Sequence, residues 1–207
     1  MIYLYGAGGH AKVIADILEL KGIVIGGYFD DEPTKKLWNY PGFSFPGYFD
    51  LLTDELIVSI GNNIIRKKIV EKIAAKYFKA IHPSAIISSH SAVGEGSVVM
   101  GGVLINADTL IGKHCIINSN AVIDHECIIG DFVHVSPNAT LCGNVQVGEL
   151  SHVGAGAVVI PGKKIGANSV IGAGSVVITD IPDNVVAVGN PARIIKQFSK
   201  KVSDKFI

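Results

Sequence analysis

The sequence predicts a mixed fold in which a small N-terminal Rossmann-like α/β domain precedes a left-handed parallel β-helix. Two observations carry this prediction. A branched aliphatic residue recurs at every sixth position from Ile81 to Val177, and residues 1–30 follow the order strand, glycine-rich loop, helix, strand. We therefore expect one domain over residues 1–80 and a second over residues 81–207, which includes a C-terminal tail.

The six-residue repeat runs without a break or an insertion. Its seventeen positions are Ile81, Ile87, Val93, Val99, Ile105, Ile111, Ile117, Ile123, Ile129, Val135, Leu141, Val147, Val153, Val159, Ile165, Ile171 and Val177. The residue four positions after each aliphatic is mostly small or β-branched, with Lys163 as the exception. This period indicates a parallel β-helix, in which each short strand points one aliphatic side chain into a narrow core. A small residue suits the bend, because a bulky side chain there would overfill the core.

The N-terminal segment has the pattern of a β-α-β unit followed by one more strand and helix. Its predicted elements are strands over residues 2–5, 23–29 and 56–60 and helices over residues 11–20 and 64–77. Gly22 is expected to end the first helix. The second helix is predicted to be amphipathic, with Arg66, Lys67 and Lys68 facing outward.

The remaining segments are connections. A loop rich in proline, glycine and aromatic residues spans roughly residues 32–50 and includes Trp38, Tyr40, Pro41, Pro46 and Tyr48. Pro83 marks the entry to the β-helix. The tail over residues 196–207 is expected to be a short helix or partly disordered.

Composition favours a protein that handles small molecules. Lysine plus arginine and aspartate plus glutamate number 18 each, so no strong field indicates nucleic acid or an anionic membrane as a partner. The chain has no apolar run long enough for a transmembrane helix, and the N-terminus lacks the basic region of a signal peptide. We therefore expect a cytoplasmic protein. Cys115, Cys127 and Cys142 are expected to be reduced thiols that serve in packing.

A glycine-rich motif, Gly6-x-Gly8-x-x-Ala11, lies between the first strand and the first helix. It matches the dinucleotide fingerprint, in which backbone N–H groups approach a diphosphate at a helix N-terminus. Asp30 and Asp31 follow at the distance where an acid hydrogen-bonds a ribose or a base. A tight strand–helix turn without a ligand is the alternative. The domain is too short for two mononucleotide halves, which favours one nucleotide or nucleotide sugar over NAD.

His125 is the candidate general base. It lies two positions after Ile123, where a side chain points outward from the β-helix, and Asp124 and Glu126 flank it. A carboxylate on either side can orient the imidazole and stabilise its charge. A surface histidine in a turn is the alternative. No metal is expected, since a zinc site needs three ligands within reach and the histidine spacing offers none.

Several segments together resemble a known family. They are Tyr5-Gly-Ala-Gly-Gly-His10, Phe29-Asp-Asp31, Ser59-Ile-Gly-Asn-Asn63, Ile65-Arg-Lys-Lys-Ile69, Ile123-Asp-His-Glu-Cys-Ile-Ile-Gly130, His134-Val-Ser136, Gly143-Asn-Val145 and Gly189-Asn-Pro-Ala192. The chain resembles the bacterial hexapeptide-repeat acyltransferases. Within them it is most similar to the UDP-4-amino-sugar N-acetyltransferases of bacillosamine synthesis and their sialic acid O-acetyltransferase relatives.

The resemblance implies an acyltransferase with acetyl-CoA as co-substrate and a role for each matching residue. His125 would be the general base, and Glu126 the carboxylate that raises its basicity. The residues implied for the nucleotide-sugar site are Gly8, Gly9, His10, Asp30, Asp31 and Gly61. The residues implied for the acetyl-CoA groove are Asn118, His134, Gly143, Ala155 and Ala173. The family is trimeric, so a homotrimer with active sites between subunits is implied.

Three questions stay open at this stage. The acceptor is expected to be the 4-amino group of a nucleotide-linked amino-deoxy sugar, with a sugar hydroxyl, as in sialic acid O-acetylation, as the alternative. UDP is the expected nucleotide, and dTDP and GDP remain open. The other class is a non-catalytic scaffold that binds a nucleotide sugar.

Overall fold

A computed structural model describes residues 1–32, 34–45, 47 and 49–198 and has an α/β domain followed by a parallel β-helix. The elements of the α/β domain are β1 (Ile2–Tyr5), α1 (Gly9–Leu20), β2 (Ile25–Phe29), β3 (Gly42–Phe43), β4 (Glu55–Val58), α2 (Asn63–Lys72) and β5 (Lys76–Tyr77). Its five strands form one parallel sheet in the order β3-β2-β1-β4-β5. The predicted small Rossmann-like domain is confirmed.

Three features of this domain differ from the sequence prediction. Helix α1 begins at Gly9 rather than at residue 11. Helix α2 ends at Lys72 rather than at residue 77, because Ile73 is extended and Lys76–Tyr77 pairs with β4 as an edge strand. The loop over residues 32–50 contains the short strand β3, which pairs with β2. Pro46 and Tyr48 of that loop lie outside the described residues.

The β-helix consists of two-residue strands that recur every six residues. They are β6 (Ala80–Ile81), β7 (Ile86–Ile87), β8 (Ala92–Val93), β9 (Val98–Val99), β10 (Leu104–Ile105), β11 (Leu110–Ile111), β12 (Ile116–Ile117), β13 (Val122–Ile123), β14 (Ile128–Ile129), β15 (His134–Val135), β16 (Thr140–Leu141), β17 (Gln146–Val147), β18 (His152–Val153), β19 (Val158–Val159), β20 (Lys164–Ile165), β21 (Val170–Ile171) and β22 (Val176–Val177). From β6 to β19, each strand pairs in parallel with the strand 18 residues further along, as β12 does with β15. The predicted parallel β-helix is therefore confirmed.

Three flat sheets form the faces of the β-helix. We call them face one (β6, β9, β12, β15, β18 and β21, continued by two later strands), face two (β7, β10, β13, β16, β19 and β22) and face three (β8, β11, β14, β17 and β20). The chain visits them in that order in every coil. A side chain thus belongs either to a face or to one of the three corners between faces.

The predicted core positions are buried. From Val99 to Val177 every aliphatic of the repeat is buried, whereas Ile81, Ile87 and Val93 in the first coil are partly covered, since no coil lies beneath them. The small residues at the bends pack into the same core, and Lys163 is only partly buried. Cys115 and Cys127 are free and buried at such bends, as predicted.

Each bend also contains a residue in the left-handed backbone conformation, at a position of the repeat that the sequence analysis did not identify. The third residue after each core aliphatic has a positive φ from Gly96 to Gly174, at intervals of six. Glycine, asparagine and aspartate suit this conformation, whereas Glu126, Phe132 and Leu150 adopt it at a steric cost. The left-handed conformation of Glu126 follows directly on His125.

Helix α2 packs on the corner between faces three and one through polar contacts. Arg66, which was expected to face outward, is 1% exposed, and Ile65 faces outward instead. The prediction was wrong because this corner presents a row of turn carbonyls, from His114, Phe132 and Leu150, which need hydrogen-bond donors. Arg66 and Asn63 supply those donors. Lys68 is exposed as predicted, and Lys67 pairs with Glu149 of the β-helix at 2.5 Å.

An apolar core also joins the two domains. Leu4 and Ile14 of the α/β domain belong to one buried cluster with Val98, Met100 and Ile116 of face one. The nucleotide-binding loops predicted in the α/β domain are therefore held at a fixed place beside face one.

The chain ends in a hairpin that extends face one. Strand β23 (Val185–Val188) pairs in parallel with β21, and β24 (Arg193–Gln197) pairs with β23 in antiparallel fashion. The short helix expected from residue 196 is wrong for Lys196 and Gln197, because their backbone completes this edge of the sheet. Residues 199–207 lie outside the described part of the chain. Among the described residues, no helix is long and apolar enough to cross a membrane.

Candidate active site

His125 lies at the corner between faces two and three, and its side chain is 56% exposed. Its Nδ1 is 3.0 Å from Oε2 of Glu126. A carboxylate only accepts hydrogen bonds, so Nδ1 carries the hydrogen and Nε2 keeps its lone pair. The flanking residues alone left open whether Asp124 or Glu126 orients the ring, and the resemblance implied Glu126. The structure brings Glu126 to Nδ1. The outward direction predicted for His125 is confirmed.

Gly143 makes room for the imidazole. It stands one coil above His125, and a Cβ added at Gly143 would lie 2.6 Å from both Cε1 and Nε2 of that ring. Any larger residue would therefore displace the ring or the backbone. The absence of a side chain at this position allows the histidine to lie flat over the next coil.

Asp124 is the second carboxylate at this corner. Its Oδ1 accepts hydrogen bonds from Nδ2 of Asn106 at 2.7 Å and from the backbone N–H of His125 at 2.8 Å. Its Oδ2 is 3.9 Å from Nε2 of His125. The hydrogen bond from Asn106, followed by that from the His125 backbone, lowers the pKa of the Asp124 carboxyl, so it is ionised at neutral pH.

The residues predicted for a nucleotide sugar meet at the carboxyl ends of β1, β2 and β4. Tyr5, the last residue of β1, is in register with Phe29 and Val58, so the loops that follow these strands are neighbours. The predicted residues on these loops are Gly8, Gly9, His10, Asp30, Asp31 and Gly61. Oδ2 of Asp30 accepts the N–H of Ala7 at 2.8 Å, which ties two of the loops together.

Among the described residues, no side chain caps the start of α1. Gly8 is its N-cap and makes no side-chain capping bond, and the first turn holds no acidic residue. Gly8 and Gly9 have nothing within 4 Å of an added Cβ, so the loop is open on that side. Such a helix start suits an anion.

The outer surface of face one carries a ladder of polar side chains beside this loop. Nδ2 of Asn118 lies 3.1 Å from Nε2 of His134, and the rings of His134 and His152 stack with centroids 4.6 Å apart. In coils of 18 residues, side chains 18 positions apart stack directly, which accounts for the contact between these two histidines. Oγ of Ser136 is 2.6 Å from Nε2 of His152. Burial is the main cause that lowers the pKa of His134, and the proximity of His152, Arg66 and His10 adds to it.

Three histidines at this interface are held neutral; His114 is buried, and His10 and His134 are partly buried. Burial, with a smaller effect of the Arg66 charge, lowers the pKa of His10 to about 4. Burial likewise lowers the pKa of His114 to about 4 and that of His134 to about 2. Nε2 of His10 is buried and lacks a hydrogen-bond partner among the described residues.

We expect the protein to lose stability on mild acidification. The folded-state pKa values of His10, His114 and His134 lie below the ordinary value of 6.5. Below that pH the unfolded chain therefore binds more protons than the folded chain. The free energy of unfolding therefore falls as pH decreases below about 6.5. The melting temperature should fall by roughly 5–10 °C between pH 7.5 and pH 5.0 at constant ionic strength.

Carboxylates titrate mainly below pH 5.0. The change in melting temperature between pH 7.5 and pH 5.0 therefore reflects the protonation of histidines. A His90→Gln variant, which changes an exposed histidine, should show the same decrease as the wild type. A melting temperature that stays constant from pH 7.5 to pH 5.0 would contradict the assignment of neutral buried histidines.

Within one chain, the predicted catalytic residues and most of the predicted acetyl-CoA residues lie at two different corners of the β-helix. His125, Glu126 and Gly143 lie at the corner between faces two and three. Asn118, Ala155 and Ala173 follow strands of face one, at the corner between faces one and two, and His134 lies on face one itself. Ala155 and Ala173 are exposed and stack one coil apart. The catalytic pair and most of the predicted acetyl-CoA residues thus do not meet within one chain.

The sequence analysis missed Asn106, Ser136 and Arg66 as partners of the predicted residues. Asn106 precedes Asp124 by 18 residues and Ser136 precedes His152 by 16. The coil length of 18 residues was available as a signal for Asn106. In the described part of the chain, no group of three or more histidine, cysteine, aspartate or glutamate side chains is arranged to hold a metal ion.

Two family models match separate parts of this chain. Residues 1–73 match the family model of the PglD N-terminal domain, and residues 108–143 and 126–161 match the model of bacterial transferase hexapeptide repeats. The UDP-N-acetylbacillosamine N-acetyltransferase of Bacillus subtilis (strain 168) is 44% identical over 109 residues, which is 48% of this chain and 50% of that protein. The chain thus spans about half the length of this curated relative.

Solved structures match over nearly the whole length. A mutant of perosamine N-acetyltransferase from Caulobacter crescentus, in complex with CoA and GDP-perosamine, is 40% identical, covers 95% of this chain and 97% of its own, and has a TM-score of 0.89. The acetyltransferase domain of PglB from Neisseria gonorrhoeae FA1090, in complex with acetyl coenzyme A, is 34% identical, with 94% and 98% coverage and a TM-score of 0.88. With both of its domains matched at this level, the chain belongs to the family of hexapeptide-repeat sugar N-acetyltransferases with a PglD-type N-terminal domain.

Proposed function

We propose that this protein is an acetyl-CoA-dependent N-acetyltransferase that acts on the 4-amino group of a nucleotide-linked amino-deoxy sugar, with UDP as the nucleotide. The observation that carries the proposal is the arrangement of His125, whose Nδ1 is bonded to Glu126 and whose Nε2 is left to accept a proton. The activity of the matched relatives supports it. Since acetyl-CoA is consumed, we place the reaction in the cytoplasm.

The proposed reaction is a direct transfer. The amine nitrogen attacks the thioester carbonyl carbon of acetyl-CoA, and the bond from that carbon to sulfur breaks. Nε2 of His125 takes the proton that the nitrogen loses and returns it to the CoA thiolate. Glu126 holds Nδ1 and stabilises the imidazolium that forms. The products are an amide and CoA, and neither a metal nor an acyl-enzyme is needed.

The loops at the carboxyl ends of β1, β2 and β4 are the proposed site for the nucleotide sugar. The uncapped start of α1 at Gly8 and Gly9 offers backbone N–H groups to a diphosphate. A groove of about 280 Å³ beside Asp30, lined also by Lys35 and Phe43, can take the nucleoside. GDP is the second candidate, because solved structures matched over nearly the full length contain GDP-perosamine.

A homotrimer would complete the site. His125 and the residues Asn118, Ala155 and Ala173 lie at different corners of one chain, so a neighbouring copy must bring the two corners together. Face two supports this arrangement, because the outward residues of its strands are mostly aliphatic; they are Ile86, Leu104, Val122, Thr140, Val158 and Val176. We propose that face two lies against a neighbouring subunit, with an active site and an acetyl-CoA groove at each interface.

A thiol-release assay tests the proposal. Acetyl-CoA is offered with UDP-, dTDP- and GDP-linked 4-amino-6-deoxy sugars and with free sialic acid, and CoA release is followed. We expect release with one nucleotide-linked amino sugar and an acid- and base-stable amide product. Release with sialic acid alone would establish O-acetylation instead. No release with any acceptor, while a nucleotide sugar still binds, would identify a scaffold and overturn the proposal.

A further inference from the structure

Two hydrogen-bond acceptors face each other across the gap between His125 and Asp124. A ligand that fits between them must supply hydrogen-bond donors. With Nδ1 bonded to Glu126, Nε2 of His125 presents a lone pair. Oδ2 of Asp124 lies 3.9 Å from that nitrogen, which is too far for a hydrogen bond. With the hydrogen of the ring on Nδ1, both of the facing atoms are hydrogen-bond acceptors. A third group must bridge them with hydrogens of its own.

Two hydrogen bonds hold the Asp124 carboxylate, and a third holds its backbone. Asn106 and the backbone N–H of His125 both donate to Oδ1, and Oγ1 of Thr109 donates to the backbone carbonyl of Asp124 at 2.6 Å. These bonds direct Oδ2 toward the imidazole. They also favour the ionised carboxyl, whose pKa is lowered by Asn106 first.

We infer that Asp124 binds the amino group of the acceptor and makes this site specific for an amine over a hydroxyl. The inference rests on the proposed acetyl transfer. A sugar amine arrives as an ammonium with three N–H donors, whereas a hydroxyl has only one. An ammonium can therefore bridge Nε2 of His125 and Oδ2 of Asp124, with a charge-assisted hydrogen bond to the carboxylate.

The geometry allows this bridge. A nitrogen at about 2.9 Å from each of two acceptors that are 3.9 Å apart sees them at an angle of about 85°. That angle is close enough to the tetrahedral angle for two slightly bent hydrogen bonds. A hydroxyl that donates to Nε2 would turn an oxygen lone pair toward the Asp124 carboxylate, and the repulsion would weaken its binding.

Asp124 also positions the amine for attack. The bound ammonium must first lose one proton to water, and the neutral amine then holds one N–H on Asp124 and one on Nε2 of His125. Its lone pair is left for the thioester carbon. As the bond to carbon forms and the bond to sulfur breaks, the proton shared with Nε2 moves to His125 and then to the CoA thiolate. The products are the amide, CoA and the one proton released earlier.

The test compares a matched pair of ligands on matched variants. UDP-linked 4-amino-6-deoxyhexose and the same sugar with a hydroxyl at C4 are titrated calorimetrically against the protein in the presence of CoA, at pH 7, and the pair is repeated with GDP. The variants are Asp124→Asn, which keeps the size of the side chain, and Asp16→Asn, which removes an exposed carboxylate on α1. Turnover of the amino sugar is measured on the same preparations.

We expect the wild type and Asp16→Asn to bind the amino sugar at least tenfold more tightly than its hydroxyl counterpart. In Asp124→Asn the preference should fall to about threefold or less, with the affinity for the hydroxyl sugar unchanged, and kcat/KM for the amino sugar should fall about 10- to 100-fold. A merely structural role would weaken both ligands alike. An Asp124→Asn protein that keeps the tenfold preference overturns the inference, while normal turnover by the wild type leaves the proposed function standing. A wild type without any acetyl transfer overturns both.

Discussion

Replacement of His125 by alanine is expected to lower the turnover of acetyl transfer by a hundredfold or more, with the affinity for acetyl-CoA nearly unchanged. General base catalysis by a positioned histidine contributes typically ~10²–10⁴-fold. In this site the ring is positioned by the hydrogen bond from Nδ1 to Glu126 and by the space that the missing side chain of Gly143 leaves. Alanine removes the proton acceptor and leaves the backbone of the corner intact. The loss should therefore appear in kcat.

Initial rates of CoA release, together with calorimetric titration of acetyl-CoA, separate these two quantities. His90→Ala, which removes an exposed histidine of the first coils, should keep wild-type rates. Glu126→Gln should lie between the two, because the amide still offers an oxygen to Nδ1 but no charge to the imidazolium. A His125→Ala protein with near-normal turnover would refute the assignment of His125 as the base.

The fold could be predicted because a β-helix repeats one physical requirement in every bend. A narrow core needs an aliphatic at one position and a small side chain four positions later, so the signal accumulates over the repeat. The requirement for a positive φ is equally regular, and glycine, asparagine or aspartate fills most of these positions, but Glu126 and Phe132 also meet it, so its trace in the composition is weaker than that of the core aliphatics. The end of α2 was missed because strand β5 depends on a pairing with β4 that local propensity does not encode.

The candidate site could be predicted only in part. The placement of His125 at an outward corner follows from its distance to Ile123, and Gly143 one coil above it follows from the 18-residue period. The choice between Asp124 and Glu126 as the partner of Nδ1 depends on the left-handed backbone at Glu126, which the sequence does not reveal. The separation of His125 from Asn118 into different corners became evident only when strands were assigned to faces.

Arg66 shows where the helical pattern misleads. Three consecutive basic residues in α2 indicate a solvated surface, and a buried arginine without a carboxylate is rare. The five N–H groups of Arg66 are all used, by the carbonyls of Ile60, Gly61, His114 and Phe132 and by Oδ1 of Asn63. Burial lowers the pKa of Arg66 to about 10, which still leaves it charged at neutral pH. The guanidinium thus ties the loop at Gly61 to two coils of the β-helix.

Replacement of the buried Arg66 by methionine is therefore expected to lower the free energy of unfolding by about 3–5 kcal/mol. This is the largest effect on stability that we expect from a single substitution in α2. Methionine fills part of the volume but donates nothing, so the carbonyls of His114 and Phe132 are left buried and unpaired, and each such acceptor costs about 1–3 kcal/mol. Arg66→Lys should recover part of the loss, since an ammonium reaches at most three of the five acceptors.

Urea unfolding followed by circular dichroism measures these differences. The matched control is Arg193→Met, at the other arginine of the chain, which is exposed and donates to the carbonyl of Ala192; its effect should stay within about 0.5 kcal/mol. If Arg66→Met unfolds at the same urea concentration as Arg193→Met, the hydrogen bonds from Arg66 to His114 and Phe132 do not hold the two domains together, and the stability of their interface must come from the apolar cluster around Leu4 and Ile116.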